Sequence, residues 1–396
     1  MEIQGTSRFL PPDYTEENFI FKADCRYFKG DVPCKFWRPC FNCNLYDPIG
    51  SRVLIILLRR LGDILIASPL AQRIKKEMPN AHLTWLVNND CAPLVRMNPF
   101  VDQVLVFDWQ AATQLRAETY DLVLGFERTP SAAALMEQIN ARKKAGLAFG
   151  SPNNTLYPIG QAAQHFFKMN TWNDYRTSIN TKTWTELYFE VAEFKYEEEP
   201  YSLELSEEIK QQAQEYFKSI NTNTNPLICL NIGGSLKTKI WPESSWLHLA
   251  QLLIKCGYRI LLMGGPSEAN AYENLVTQLN VYSQKQVYVP GTNCSLEFFC
   301  ACIEKSNLVI TGDSLGFHVA IAFDKPTVVL FGPSSPNEVV PKHKHNIRLL
   351  RSKWICSPCA RQIICNGVGG CMEAIEVEEV STLVELLLTS SYFNKC

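Results

Sequence analysis

The sequence predicts an α/β protein of two doubly wound parallel-sheet lobes, extended by a small N-terminal appendage and a C-terminal four-cysteine metal knot. Three observations carry that expectation. Apolar runs of strand length alternate with helical stretches over residues 52–147. The same alternation restarts at 227 and continues to 331, so the pattern occurs twice. Cys356, Cys359, Cys365 and Cys371 then follow with spacing C-x2-C-x5-C-x5-C, which lets four thiolates converge on one tetrahedral metal. The expected divisions are 1–50 for the appendage, 51–200 for an acceptor-side lobe, 201–350 for a donor-binding lobe, and 351–396 for the cysteine segment and a terminal helix.

The elements follow in order. Residues 1–50 lack periodicity but carry Phe19, Phe21, Tyr27, Phe28, Phe36, Trp37, Phe41 and Tyr46, too many aromatics for a disordered arm. Val53–Leu58 is a continuous apolar run, as buried parallel strands are. The loop Arg59–Asp63 leads to a helix from Ile64 to Glu77, which Pro79-Asn80 ends. A strand is expected at His82–Val87, a helix near Cys91–Met97 and a strand at Gln103–Phe107. Asp121–Phe126 is another strand, Ser131–Arg142 a helix and Lys144–Leu147 a last short strand. Residues 150–200 are rich in Asn, Thr, Tyr and Phe and hold the crossing between lobes, with helix around Trp184–Phe194. A helix at Ser206–Ile220 precedes the second lobe. Its strands are Leu227–Asn231, Arg259–Met263, Val287–Val289, Leu308–Thr311 and Thr327–Phe331. Its helices are Ser245–Cys256, Glu268–Leu279, Leu296–Lys305 and Gly316–Phe323.

Bulk properties narrow the function classes. With 396 residues, the chain suits two large domains at roughly 100–200 residues each. A net charge of −2 gives no electrostatic reason to expect nucleic acid. No run of about 18 apolar residues exists, so no membrane span is expected. Met1–Glu17 is polar and acidic, unlike a signal peptide, so a cytoplasmic location is expected. Fifteen cysteines are many for a reducing compartment, where clustered thiols bind metal or do redox chemistry. Cys25, Cys34, Cys40 and Cys43 form one cluster and the C-terminal four another. Cys91, Cys229, Cys256, Cys294, Cys300 and Cys302 read as small hydrophobes, and Cys396 as a frayed end.

Ligands in paired parallel sheets bind beyond the carboxyl ends of the strands, so chemistry is expected in the loops there. After Asn231, Gly233 and Gly234 let a ligand approach the backbone, while Ser235, Lys237, Thr238 and Lys239 can bond phosphate oxygens. After Met263, Gly264 permits close approach and Glu268 can accept from ribose hydroxyls. After Thr311, Gly312, Asp313, Ser314 and Gly316 open a helix whose N–H groups face a phosphate or sugar. His318 lies one turn on and reads as structural. In the first lobe Gly62 and Asp63 sit at the sheet edge, where a carboxylate can deprotonate a hydroxyl. Asp108 is the second candidate base, and Asp63 is alternatively the cap of its helix. Arg59 or Arg60 can balance substrate charge. No Gly-x-Gly-x-x-Gly follows the first strand and no Walker A run occurs, which disfavours dinucleotide dehydrogenases and P-loop enzymes.

These motifs together resemble the heptosyltransferases of glycosyltransferase family 9. The resemblance covers roughly residues 52–335, through Leu-Gly-Asp-Ile-Leu at 61–65, Lys-Ile-Trp-Pro-Glu at 239–243, Gly-Asp-Ser-Leu-Gly-Phe-His at 312–318, Asp-Lys-Pro-Thr at 324–327 and Phe-Gly-Pro at 331–333. It implies the two-lobed GT-B fold and inverting transfer from ADP-heptose without a catalytic metal. By the same resemblance Asp63 is the base, Lys239 the diphosphate-binding lysine, Glu268 the ribose acid and Asp313 the sugar contact. The family's Asp-Thr-Gly-Leu-x-His is Asp-Ser-Leu-Gly-Phe-His here, with the glycine moved one place. The two ends, Cys25-Arg-Tyr-Phe-Lys-Gly-Asp-x-Pro-Cys34 with Cys40-x-x-Cys43 and the C-terminal quartet, are similar to the bacterial autotransporter heptosyltransferases (the TibC-like group). That likeness implies serine residues of an autotransporter adhesin as acceptor, one structural iron on Cys356, Cys359, Cys365 and Cys371, and a homo-oligomeric ring, a dodecamer. Spacing alone suits zinc or iron equally. Pro358, Gly367, Gly369 and Gly370 supply turns between the ligands. The N-terminal cluster reads as thiols packed among aromatics, with a second metal on Cys34, Cys40 and Cys43 as the alternative. The rival functions are a lipopolysaccharide core heptosyltransferase and a non-catalytic metal-stabilised scaffold.

Overall fold

The computed structural model describes residues 20–30, 34–37, 40–41, 43–220, 225–282, 286–359 and 370–393. The first lobe runs β1 (Arg52–Ile56), α1 (Leu61–Glu77), β2 (His82–Val87), α2 (Ala92–Arg96), β3 (Gln103–Val106), α3 (Trp109–Ala117), β4 (Thr119–Gly125), α4 (Pro130–Gln138), β5 (Asn140–Gly150) and β6 (Thr155–Ile159). Helices α5 (Ala163–Thr171), α6 (Trp184–Val191) and α7 (Glu207–Ile220) make the crossing. The second lobe runs β7 (Leu227–Asn231), α8 (Glu243–Lys255), β8 (Arg259–Met263), α9 (Ala269–Tyr282), β9 (Val287–Tyr288), α10 (Leu296–Lys305), β10 (Leu308–Gly312), α11 (Leu315–Ala322), β11 (Thr327–Phe331) and β12 (Ile347–Arg351). Helices α12 (Gly370–Glu373) and α13 (Val377–Phe393) follow, and α13 packs back on α8 and the β11–β12 edge.

Both sheets have six strands, ordered β3-β2-β1-β4-β5-β6 and β12-β11-β10-β7-β8-β9. The strands pair in parallel except β5 with β6. In each lobe the order reverses beside the first strand, at β1/β4 and at β7/β10, and ligand crevices form at such switch points. The two switch points face each other. Helix α1 packs on α11 and α2 packs on α10, so one continuous apolar core joins Val53, Leu65 and Trp85 to Cys229, Val309 and Phe317. Among the described residues no helix is long and apolar enough to cross a membrane.

Several boundaries differ from expectation. Helix α1 starts at Leu61 rather than Ile64, because Arg60 takes a left-handed turn at φ 69° and its carbonyl accepts from Ile64 N–H. Asp63 is therefore in the first turn, where its charge suits the helix dipole, and is not the cap. Helix α4 stops at Gln138, and β5 begins at once and pairs with β4 from Thr119↔Asn140 onward. The ladder overrides the helical appearance of Ala141–Lys144. The crossing holds more regular structure than its sequence suggests, in β6 and α5.

Two devices hold the crossing to α1. Pro69 lacks the N–H that would reach the Leu65 carbonyl, and Ser68 Oγ donates to that carbonyl instead at 2.7 Å. Ser68 Oγ in turn accepts from Ser202 N–H at 2.9 Å. Arg73, 4% exposed, donates to Glu199 at 2.6 Å, to Glu197 at 2.7 Å and to Glu77 at 3.0 Å. Removing one partner of a buried ion pair leaves uncompensated charge and costs about 3–5 kcal/mol. Arg73→Ala is therefore expected to lower stability by about that much in urea unfolding. Lys76→Ala, which removes an exposed partner of Glu197, is expected to cost under about 1 kcal/mol. Equal, small losses for both would show that the crossing is not held through Arg73.

Candidate active site

The cleft between the lobes holds a cavity of about 420 Å³ at the facing switch points. Of the residues singled out in the sequence, Gly62, Asp63, Gly233, Gly234, Ser235, Lys239, Gly264, Glu268, Asp313, Ser314 and Gly316 line it. A second cavity of about 360 Å³ adjoins it in the first lobe. Asp63 lines both, together with Arg60, Arg176 and Trp184.

Three expectations are corrected. Asp108 does not face the cleft: it caps α3 by accepting from Ala111 N–H at 2.7 Å and lines neither cavity. Thr238 is outside the cavity lining, and its carbonyl lies 3.9 Å from Cys371 Sγ. Gly312 is also outside it, and a Cβ there would sit 3.1 Å from the Lys239 carbonyl, so the glycine serves the packing of the loop. Cys294, which reads as a core residue in the sequence, is half-buried and lines the cavity. Burial raises its pKa and keeps it a thiol.

The floor of the cavity is a buried ion pair. Lys239 Nζ bonds the Asp313 carboxylate and its carbonyl, the latter at 3.3 Å, with both side chains at most 7% exposed. Burial opposes charge on Asp313, yet Lys239, with His318 adding to it, holds the carboxyl well below its usual range. The sequence suggests separate roles for the two residues, one for phosphate and one for sugar. The fold instead pairs them, so a diphosphate meets a lysine already shared with a carboxylate. Beside them Asn231 Nδ2 donates to Thr311 and Ser314 hydroxyls, both at 2.9 Å. A Cβ on Gly316 would lie 2.6 Å from that Asn231 nitrogen, which explains the displaced glycine of this motif. Glu268 accepts from Gly265 N–H at 2.9 Å and Ser267 Oγ at 2.7 Å, and this local cap fixes its carboxylate at the cavity wall.

The first-lobe cavity is cationic. Arg59, Arg60, Arg128 and Arg176 line it, against Asp63 and Glu127. Burial first, then Arg60, holds Arg128 below the usual arginine range. Glu127 is fixed by the N–H groups of Arg128 at 2.8 Å and Thr129 at 3.0 Å. Arg176 crosses the cleft, donating from Nε to Glu338 at 2.8 Å, and Trp184 Nε1 reaches the same carboxylate at 3.2 Å. Sequence reasoning missed Asn231, Arg128, Arg176, Trp184 and Glu338 as site residues. Only Asn231 had a local signal, as a polar residue closing an apolar strand.

The cysteine segment adjoins this site. Cys371 is buried beside Gly332, and Trp241, just beyond Lys239, donates to the Ile375 carbonyl at 3.1 Å. Cys356 and Cys359 are half-buried. Cys365, Gly367, Gly369 and Cys396 lie outside the described residues. Among the described residues no three His, Cys, Asp or Glu side chains are gathered into a metal-binding set.

His318 generates a pH dependence. Burial drives its pKa down to about 4, with Asp313 opposing and Lys239 assisting. Its Nδ1 has no hydrogen-bond partner among the described residues, and the imidazole stacks near Tyr201. Below pH 6.5 the unfolded chain binds a proton here that the folded chain refuses until about pH 4. Stability therefore falls as pH falls through that window. Between pH 7 and pH 5 His318 is expected to account for a loss of roughly 2 kcal/mol, absent in His318→Gln. Identical pH slopes for the two proteins in urea unfolding would overturn the assignment.

The sequence pattern of glycosyltransferase family 9 (heptosyltransferase) matches residues 109–366. Lipopolysaccharide heptosyltransferase 1 of Campylobacter coli is 24% identical over 298 residues, spanning 71% of this chain and 84% of that protein. The structure of E. coli ADP-heptose lps heptosyltransferase II superposes with a TM-score of 0.67 at 20% identity, over 86% of this chain and 99% of that one. The iron-containing dodecameric glycosyltransferase TibC from enterotoxigenic E. coli H10407 superposes with a TM-score of 0.52 at 16% identity, over 86% and 76%. At these identities the solved structures establish the fold, two parallel-sheet lobes consistent with GT-B. The chain belongs to glycosyltransferase family 9, the heptosyltransferase family, and is a glycosyltransferase.

Proposed function

We propose that this enzyme transfers heptose from ADP-heptose to a hydroxyl acceptor with inversion, and that the acceptor is a serine of an autotransporter adhesin. The observation that carries the transfer is the position of Asp63, at the seam where the nucleotide-sized cavity of the second lobe meets the first-lobe cavity. The acceptor hydroxyl enters from the first lobe and gives its proton to the Asp63 carboxylate. Its oxygen attacks the anomeric carbon from the face opposite the diphosphate. The bond from that carbon to the diphosphate breaks, and ADP leaves with the electron pair. Lys239 and the N–H groups opening α11 stabilise the charge that grows on the leaving group. Gly233 and Gly264 give the donor backbone-close access, and Glu268 takes the ribose hydroxyls.

The serine acceptor is supported by the likeness of the two cysteine clusters to those of the autotransporter-modifying group. Cys371 and Ile375 pack against the loop that carries Lys239. Thiolate donors suit iron or zinc, and Cys356, Cys359, Cys365 and Cys371 would hold such an ion, which would brace that loop without entering the chemistry. A homo-oligomer, up to a dodecamer, belongs to the same reading, as does action in the cytoplasm. A second reading has its own observation. Four arginines around the first-lobe cavity suit an anionic acceptor, such as a lipopolysaccharide core sugar bearing carboxylate or phosphate. A non-catalytic scaffold is disfavoured because the donor loops converge on one intact cavity.

Intact mass of an adhesin passenger fragment, after incubation with ADP-heptose and enzyme, decides between them. Increments in heptose units are expected. Unmodified fragment alongside labelled lipid-linked core would establish the second reading. Release of no ADP with either acceptor would refute both. Within the site, Asp63→Asn is expected to lose at least about 100-fold in kcat, and Lys239→Met about 100-fold or more. Asp108→Asn is expected to keep most of its kcat and lose about 1 kcal/mol of stability at most, as a cap is weakened. An Asp63→Asn enzyme with near-normal kcat would remove the base from this account.

A further inference from the structure

The described part of the N-terminal appendage has almost no core of its own. Among its described residues, 20–50 in part, Cys34 alone counts as a buried hydrophobic side chain. Several of its aromatics are largely exposed, Trp37 at 67% and Phe21 at 60%. A segment this small that buries so little needs a staple to hold one shape. The Arg26 guanidinium ties it to the first lobe, bonding Asp47 at 3.0 Å and Asp102 at 2.7 Å. That contact anchors the appendage and does not organise its interior.

The interior is organised around sulfur. Cys25, Cys34, Cys40 and Cys43 line one cavity of about 20 Å³, the space of a single water or ion. Tyr27, Phe28, Phe36 and Tyr46 share its wall and give an apolar surround. Each cysteine is presented by a tight turn or a short ladder. Cys25 bridges Pro48 antiparallel, flanked by Arg26 N–H to Asp47 O at 2.8 Å and Ile49 N–H to Asp24 O at 2.8 Å. Trp37 N–H returns to the Cys34 carbonyl at 3.0 Å, and Cys43 N–H to the Cys40 carbonyl at 3.4 Å. Phe36 N–H points at Cys34 Sγ at 3.3 Å. Trp37 follows with a left-handed φ of 55°, costly for a bulky residue.

We propose that Cys25, Cys34, Cys40 and Cys43 form a second, structural metal site that takes one tetrahedral Zn²⁺ or Fe²⁺ through four thiolates. The spacing C-x8-C-x5-C-x2-C supplies ligands from two turns and one ladder, as closed structural sites do. The four thiols line one cavity, but no three of them are gathered closely enough to hold an ion, so the metal would draw them together on binding. A tetrathiolate site carries excess negative charge, and Lys22, which lines the cavity with its ammonium 3.9 Å from the Tyr46 ring, offsets part of it. The proposal does not depend on the transfer reaction or its acceptor.

The test is metal content per full-length chain, by elemental mass spectrometry on protein purified under reducing conditions. A variant with Cys356, Cys359, Cys365 and Cys371 all changed to Ser keeps only the N-terminal cluster. It is expected to retain one zinc or iron per chain, and adding Cys34→Ser should reduce that below about one tenth. In the otherwise unaltered chain, Cys34→Ser and Cys43→Ala should each lose one metal equivalent, while Cys43→His should keep it, since imidazole can replace one thiolate. Replacement by Co²⁺ should give a thiolate-to-metal absorption band that Cys34→Ser removes. If the C-terminal variant fails to fold, the single variants in the unaltered chain still decide the matter. Unchanged metal content in Cys34→Ser, or two disulfides among the four cysteines, overturns the proposal.

Discussion

The approach of helices α1 and α11 across the cleft is the constraint on which the rest of the molecule depends. A Cβ on Gly62 would stand 2.9 Å from His318 Cδ2, so the two helices meet where any side chain would part them. Their starts follow the first strand of one sheet and the fourth of the other, at the two switch points. Once they touch, Asp63 and Asp313 face a common space, and the apolar faces of both sheets merge into one core. His318 stays neutral because this contact buries it, so the packing that makes the cleft also sets the charge state at its floor.

The site divides charge unequally between its halves. In the second-lobe half the cation is matched by a buried carboxylate, Lys239 by Asp313. The pair is held rigid, and little reorganisation is needed when a diphosphate places its own charge there. The first-lobe half carries four arginines against two acids among the described residues. Arg176 spans both halves by bonding Glu338 of the second lobe. Among the described residues the lobes are therefore tied by apolar packing at α1–α11 and α2–α10, and by the ion pairs Arg176–Glu338 and Lys342–Glu186. A substrate carboxylate or phosphate that competes for Arg176 would loosen its ion pair and leave the packed contacts intact.

The second lobe is legible in the sequence because its strands are buried on both faces and bounded by glycine turns. Leu227–Asn231, Leu308–Gly312 and Thr327–Phe331 agree with the sequence expectation to within a residue. The donor-loop residues follow, since each glycine and charge lies directly after such a strand. The crossing is not legible. Helix α5 and strand β6 are short and half-exposed, and they gain their form from packing on β5. Arg176 gives no local signal, because its partner Glu338 is 162 residues away. Asp108 misleads because a strand-end aspartate has the same local sequence whether it caps a helix or faces a ligand. Only the third dimension shows that Ala111 N–H takes its oxygen.

The cysteine clusters sit where each lobe meets its appendage, and they act on different parts of the machine. The N-terminal cluster docks through Arg26 on Asp102, a residue that also accepts from Leu83 N–H at the start of β2. It is remote from the cleft lining and bears on the first lobe's outer edge. The C-terminal segment reaches the donor loop itself, through Cys371 at Thr238 and Ile375 at Trp241. Lys239 lies between those two contacts. The loop that bears the central cation is thus held from behind by the segment that follows β12, while Gly312 lets it settle against β10 from the front. The segment after β12 is packed into the second lobe's core through Met372, Ile375 and Val380, and it bears on the Lys239 loop without lining the cavity.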